Sequence, residues 1–276
     1  MKKLLSCIMA LICVFIPVPV LAADVTCNNF SVFSLNEDWT YVSTPNTENG
    51  VPVIIRDYEL SEETINELNN DYDNVYQNNI RIANASRLYN CHSYAWYSQN
   101  TNANNYWMDR PSLYYTDGSY NLVEGSPRKG DIICYFNENN SNLHSGIVIE
   151  YLSSQSNGMC GSSDTVLVIS KWGSGGLYIH NGYKCPYTSF DNGSATTVRY
   201  YRRVDHNHSY TNTQITDNTI SMKFHKSNCR ICFQNIYAPH DWQEVRINPT
   251  SILPQYVPGY ECKDCGYFTM QNPNIS

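Results

Sequence analysis

Apolar positions are spaced in three ways along this chain, and each spacing predicts a different element. From Leu4 to Val20 they run almost without interruption behind Lys2 and Lys3, and the run closes on Leu21, Ala22 and Ala23. A basic start, an apolar stretch broken by Pro17 and Pro19, and small residues at its end are the pattern of a secretory signal peptide over residues 1–22. The stretch is short for a membrane span, so export is expected, with no transmembrane anchor after cleavage.

Between Asp24 and about Pro52 the chain is polar and irregular. Spacing of a helical kind then begins: Ile65, Leu68, Tyr72 and Tyr76 share one face, Ser61 suits the N-cap, and Glu62 and Glu63 suit the positive end. A second helix is expected from Asn90 or Cys91, with Tyr94, Ala95 and Tyr97 forming its apolar face. Beyond Lys129 the pattern changes to short β-branched and aromatic runs bounded by Gly, Asn, Ser and Pro. Strands are predicted over Asp131 to Phe136, Gly146 to Leu152, Thr165 to Trp172, Gly176 to His180, and Thr196 to Val204. Helices first and an antiparallel sheet of about five strands afterwards is an α+β order. The Thr-, Asn- and Ser-rich run over residues 205–228 reads as a linker, and residues 229–276 as a separate small module.

Charge narrows the partners. Loss of Lys2 and Lys3 with the signal peptide leaves 16 Lys and Arg against 25 Asp and Glu, a formal charge of −9. A chain of that sign makes nucleic acid an improbable partner. Nine cysteines survive cleavage, an odd number that rules out complete pairing within one chain and directs attention to single thiols. Cys160 and Cys185 flank neighbouring strands and are candidates for a disulfide, Cys134 falls in mid-strand, and Cys27 has no assignment.

Cys91 stands at the start of the second predicted helix, where unpaired N–H groups favour a thiolate, and a nearby imidazole would complete its activation. His144, opening the strand His144-Ser145-Gly146-Ile147-Val148, is the expected base. Adjacent helix positions point about 100° apart, so His92 is read as a wall of the cleft or a packing residue.

Three segments, in order, resemble the NlpC-type and CHAP-type papain-like cysteine peptidases and amidases of bacterial cell walls. Tyr89-Asn90-Cys91-His92-Ser93-Tyr94-Ala95-Trp96 is similar to the nucleophile helix, Pro127-Arg128-Lys129-Gly130-Asp131-Ile132 to the Gly-Asp that leads into the first core strand, and His144-Ser145-Gly146-Ile147-Val148 to the strand of the catalytic histidine. The resemblance covers roughly Tyr89 to Val204. It implies a papain-like domain over residues 23–204, with a core of about 84–204. It also implies acyl transfer by Cys91 and His144 on an amide bond of peptidoglycan peptides, in a secreted or envelope-located enzyme without a catalytic cofactor. The family's third polar residue has no customary counterpart: Ser170 and Lys171 end the next strand, His180 lies on the one after, and Ser170 and His180 both stand as candidates to orient the base. That departure also fits a catalytically silent surface-binding module on the same scaffold.

Cys229-Arg230-Ile231-Cys232 and Cys262-Lys263-Asp264-Cys265-Gly266 are two knuckles separated by 29 residues. Together Cys229, Cys232, Cys262 and Cys265 have the spacing of a closed four-thiolate zinc site, structural in role, in a zinc-ribbon-like module; disulfides compete with it in an exported protein. His206, His208, His225 and His240 flank the knuckles and are read as exposed loop residues, with substitution as ligands open to them.

Overall fold

The computed structural model describes residue 47 and residues 50–151, 166–188, 193–215, 218–232, 234–247 and 257–273. The expected signal peptide, Cys27 and Cys160 lie outside the described residues, and with Cys160 the disulfide to Cys185. None of the helices among the described residues is long and apolar enough to cross a membrane.

The molecule is mixed and sheet-rich with few helices. In chain order it contains β1 (Ile54–Ile55), α1 (Glu62–Val75), β2 (Ile80–Ala83), a π-helical turn (Ser93–Tyr97), β3 (Tyr106–Trp107), α2 (Ser112–Thr116), β4 (Tyr120–Leu122), β5 (Ile132–Phe136), β6 (Asn142–Tyr151), β7 (Val166–Lys171), β8 (Leu177–Asn181) and β9 (Thr197–Arg203). There follow β10 (Tyr210–Thr213), α3 (Asn218–Ser221), β11 (Phe224–Cys229), β12 (Asn235–Pro239), β13 (Trp242–Ile247), β14 (Val257–Cys262) and β15 (Phe268–Thr269).

Seven strands form one antiparallel sheet in the order β2-β8-β7-β6-β5-β9-β4. Its five long members are the five predicted from sequence; β2 and β4 add an edge at each side. Both faces are covered. On the first, Ile132, Cys134, Ile147, Ile149 and Ile169 pack against Tyr94, Ala95 and Trp96 of the π-helical turn. On the second, Ile133, Tyr135, Val148 and Val168 pack with Trp172, Tyr178, Cys185 and Tyr187. Tyr72 of α1 and Tyr76, the residue that caps its C-terminus, close that face, with ring centroids 5.5 and 4.8 Å from Trp172. A strand buried on both sides has no polar face to alternate with, which is why β5 reads Ile-Ile-Cys-Tyr-Phe.

α1 begins as its sequence dictates. The Ser61 hydroxyl accepts from the Thr64 amide at 3.2 Å, and Glu62 and Glu63 occupy the positive end. The second helix starts at Cys91 but turns at once to π geometry, with the Ser98 amide donating to the Ser93 carbonyl at 3.0 Å.

The C-terminal part departs from the expected linker and single module. Residues 205–228 contain β10 and most of β11, which pair with β12 as one three-stranded sheet; β13, β14 and β15 form a second. β10 reads Tyr-Thr-Asn-Thr because its side chains are half-buried or exposed while its backbone is paired, so low apolar content concealed a strand. Ile220, Phe224 and Ile236 join the same apolar cluster as Trp96 and Ile147, so this region shares the core of the large sheet.

Candidate functional site

Asn90 fixes the start of the nucleophile segment. Its side-chain carbonyl accepts from the Ser93 amide at 3.0 Å, as an N-cap does, and from the Met108 amide at 3.2 Å, while its amide donates to the Met108 carbonyl at 2.8 Å. Cys91 follows, buried on the first face of the sheet.

The polar groups of that face meet at Ser145. Its hydroxyl lies 2.9 Å from His92 Nδ1 and accepts from Trp96 Nε1 at 3.0 Å, from Asn142 Nδ2 at 3.4 Å, and has Cys134 Sγ at 3.6 Å. Burial pulls the His92 imidazole down to about 4, so the ring is neutral near pH 7 and Nδ1 is free to accept the Ser145 proton.

Lys171 faces the same way and lies within electrostatic reach of Cys91. The buried Nζ donates to the carbonyls of Ser86 (2.8 Å), Gly173 (2.5 Å) and Gly175 (2.6 Å), and sits 5.0 Å from the Tyr89 ring centre. Burial pulls its ammonium down to about 7, against which an ionised Cys91 and Glu59 push up. Three carbonyls demand three N–H donors; a neutral amine has two and would aim a lone pair at the third carbonyl. The hydrogen bonds therefore favour the charged form of Lys171, within electrostatic reach of Cys91.

His144 belongs to the other face. Ser145 meets the residues of the π-helical turn, and successive strand residues point oppositely, so the imidazole enters the second core. There it stacks on Tyr187 with ring centres 3.9 Å apart and planes within 7°. Its Nε2 lies 2.9 Å from Ser170 Oγ, which lies 2.7 Å from His180 Nε2; His180 Nδ1 lies 2.6 Å from the Asn181 carbonyl. A carbonyl only accepts, so His180 carries its proton on Nδ1 and presents a lone pair at Nε2. Ser170 must then donate to His180, and His144 Nε2–H must donate to Ser170. Trp172 Nε1 also donates to Ser170 Oγ, at 3.1 Å. What is left on His144 is an Nδ1 lone pair, buried and without a hydrogen-bond partner among the described residues. Burial holds His144 well below the usual imidazole range, and protonation of His180 or His92 would lower it further; burial also pulls His180 down to about 4 against the pull of the Asn181 carbonyl.

Both candidates for orienting His144 are thus in line behind it: Ser170 touches it and His180 touches Ser170. His144 is placed in the second core against Tyr187 and Ser170, whereas Cys91 lies within electrostatic reach of Cys134 and Lys171 on the first face, so the described contacts do not bring the two together. Lys171, the third group weighed at the end of the strand, shares the face of Cys91.

The two knuckles also separate. The ligand atoms of His206, His208, Cys229 and Cys232 lie within 4.8 Å of one another, and so do those of His225, His240, Cys262 and Cys265. The expected single four-thiolate site is replaced by two mixed clusters, since Cys229 and Cys232 end the β10–β11–β12 sheet and Cys262 and Cys265 the β13–β14–β15 sheet. Either donor set suits a tetrahedral metal ion. Burial opposes ionisation of Cys229, but the amides of Cys232 and Ile231 donate to its sulfur and pull the thiol down to about 5. The four histidines read as loop residues are the missed members. The sequence signal was their number, one histidine for each knuckle cysteine, all between residues 206 and 240.

Neither a protein-family model, nor a curated protein, nor a solved structure matches the chain.

Proposed function

We propose that the chain is an exported papain-like cysteine hydrolase that cleaves an amide bond, in peptidoglycan peptides, with Cys91 as nucleophile. The observation that carries the proposal is the company of Cys91: an Asn90-capped helical start and a buried, triply hydrogen-bonded Lys171 ammonium on the same face. A fixed positive charge in a dry site favours a thiolate over a thiol. In the reaction the Cys91 sulfur adds to the amide carbonyl, the C–N bond breaks as the leaving amine takes a proton, and water releases the acyl group from sulfur.

The resemblance assigns the proton to His144. For Nδ1 of His144 to serve Cys91, β6 must slip by one residue, which exchanges the faces of Ser145 and His144. The pairing of β5 with β6 shifts register between Tyr135 and Phe136, immediately beside His144.

A second proposal, a catalytically silent surface-binding module on the same scaffold, is favoured by one observation: the His144 ring is sealed on the face away from Cys91. Site-resolved alkylation of the native chain by iodoacetamide separates the two. The hydrolase reading expects Cys91 to react at least about tenfold faster than Cys134, whose thiol burial pushes up to about 12. Equal rates at the two positions support the silent module. We propose also that zinc occupies the histidine–cysteine clusters in a structural role, since four protein donors leave no open position for substrate.

A further inference from the structure

We infer that each chain binds two zinc ions in separate Cys2His2 sites, His206/His208/Cys229/Cys232 and His225/His240/Cys262/Cys265, and that the first ion braces the Gly130 turn leading into β5. The inference rests on the zinc reading above and goes beyond it in committing to two ions per chain and in the consequence of the first for the large sheet.

Geometry supports the ligand sets. A tetrahedral zinc with Zn–S of about 2.3 Å and Zn–N of about 2.0–2.1 Å places a sulfur and a nitrogen about 3.6 Å apart. Sulfur–nitrogen pairs at about that spacing are Cys229 Sγ–His206 Nε2 at 3.6 Å, Cys232 Sγ–His208 Nδ1 at 3.5 Å, Cys262 Sγ–His225 Nδ1 at 3.8 Å and Cys265 Sγ–His240 Nδ1 at 3.5 Å. All four cysteines are free thiols.

The nitrogens turned away from the sulfurs agree with them. His206 Nδ1 lies 2.8 Å from Asp205 Oδ1, and His240 Nε2 lies 2.8 Å from the Ser221 carbonyl. Each acceptor holds the proton on the outer nitrogen and leaves a lone pair on the inner one, the arrangement in which metal-bound imidazoles are oriented. His225 Nε2 lies 3.8 Å from Asp264 Oδ2, too far for a hydrogen bond but with a carboxylate on the outer side of the ring. Two thiolates and two imidazoles in a tetrahedral set suit zinc above the harder divalent ions.

The first site reaches the large sheet. Gly130 has φ +93°, and a Cβ built there would lie 2.7 Å from His208 Cδ2 and 2.9 Å from Gln234 Oε1. Gln234 Nε2 donates to the Gly130 carbonyl at 3.2 Å, Tyr210 OH donates to Gln234 Oε1 at 2.6 Å, and Lys129 Nζ donates to Ser227 Oγ at 3.0 Å. From the other side, Arg203 at the end of β9 holds Asp205 at 2.6 Å, and Asp205 holds His206. The Gly130 amide donates to the Val148 carbonyl of β6, so the turn is tied to the central strands.

The test is the metal content of the full chain by native mass spectrometry, followed by hydrogen exchange at the Gly130 amide. Two zinc ions per chain are expected, falling to one in Cys232→Ala and to one in Cys265→Ala, with Gly130 exchange faster by about tenfold or more only in Cys232→Ala. One ion in the wild-type chain overturns the two-site inference while keeping the zinc reading. No ion, with the four thiols oxidised in pairs, overturns the zinc reading itself. Two ions with Gly130 exchange unchanged in Cys232→Ala overturn the bracing. The wild-type count stands without the variants, so a variant that fails to fold leaves the number decided, and exchange in wild-type chain stripped of metal by a chelator then tests the brace.

Discussion

Ser170 and Lys171 are neighbours on β7 with opposite duties, because one residue of displacement along a strand exchanges the face a side chain serves. Ser170 joins His144, His180 and Trp172 in the second core through one hydroxyl. Removing that hydroxyl leaves two buried N–H donors and one imidazole lone pair unmet. Ser170→Ala is therefore expected to lower the free energy of unfolding by about 1–3 kcal/mol, read from urea denaturation, and a change near zero would mean that these groups find other partners. Lys171 carries its charge into the first core instead. Replacement by Met keeps the stem and removes the ammonium, so Lys171→Met is expected to slow alkylation of Cys91 at pH 7 by about tenfold if the charge sustains the thiolate. An unchanged rate would detach Lys171 from the thiol.

At the scale of elements, the five long strands were legible and the two edges were not. β5 to β9 announce themselves because burial on both faces compresses apolar residues into short runs, whereas β2 and β4 are short, partly exposed and polar enough to pass for loop. Burial on both faces also hid the placement of His144. When each side of a strand is equally apolar, alternation carries no mark of the side on which the Cys91 segment packs, and only tertiary structure supplies it. The same burial has a pH consequence. His92, His144 and His180 are held neutral, with folded pKa values below the unfolded value of about 6.5. Below that value the unfolded chain takes up protons that the folded chain refuses, so stability is full above about pH 6.5 and falls as pH drops toward about 4. Each histidine contributes a slope of up to about 1.4 kcal/mol per pH unit. A pH series of urea unfolding should show this fall, and His180→Asn should make it shallower by one such share; equal slopes would show that His180 is not the proton-refusing group the fold makes it.

For the whole molecule, the cysteine spacing revealed metal chemistry but not its partition. Two knuckles 29 residues apart read as one site because sequence gives no account of which sheet each knuckle closes, and the histidines that complete them come from β11, from the turn after β12 and from the stretch after β9. Those same contacts make the C-terminal part continuous with the large sheet, as Phe224 and Ile236 in the shared core attest. A polar stretch that looked like a tether is instead the element carrying His206, His208 and His225. The proposed activity depends on what this continuous framework presents at Cys91. Amine release from a purified peptidoglycan peptide, followed for the wild-type chain, Cys91→Ala and Cys134→Ala under one set of conditions, tests it most directly. Turnover by the wild type and by Cys134→Ala, with a loss of at least about a thousandfold in Cys91→Ala, is the expected result. Turnover that survives in Cys91→Ala would contradict the assignment of the nucleophile.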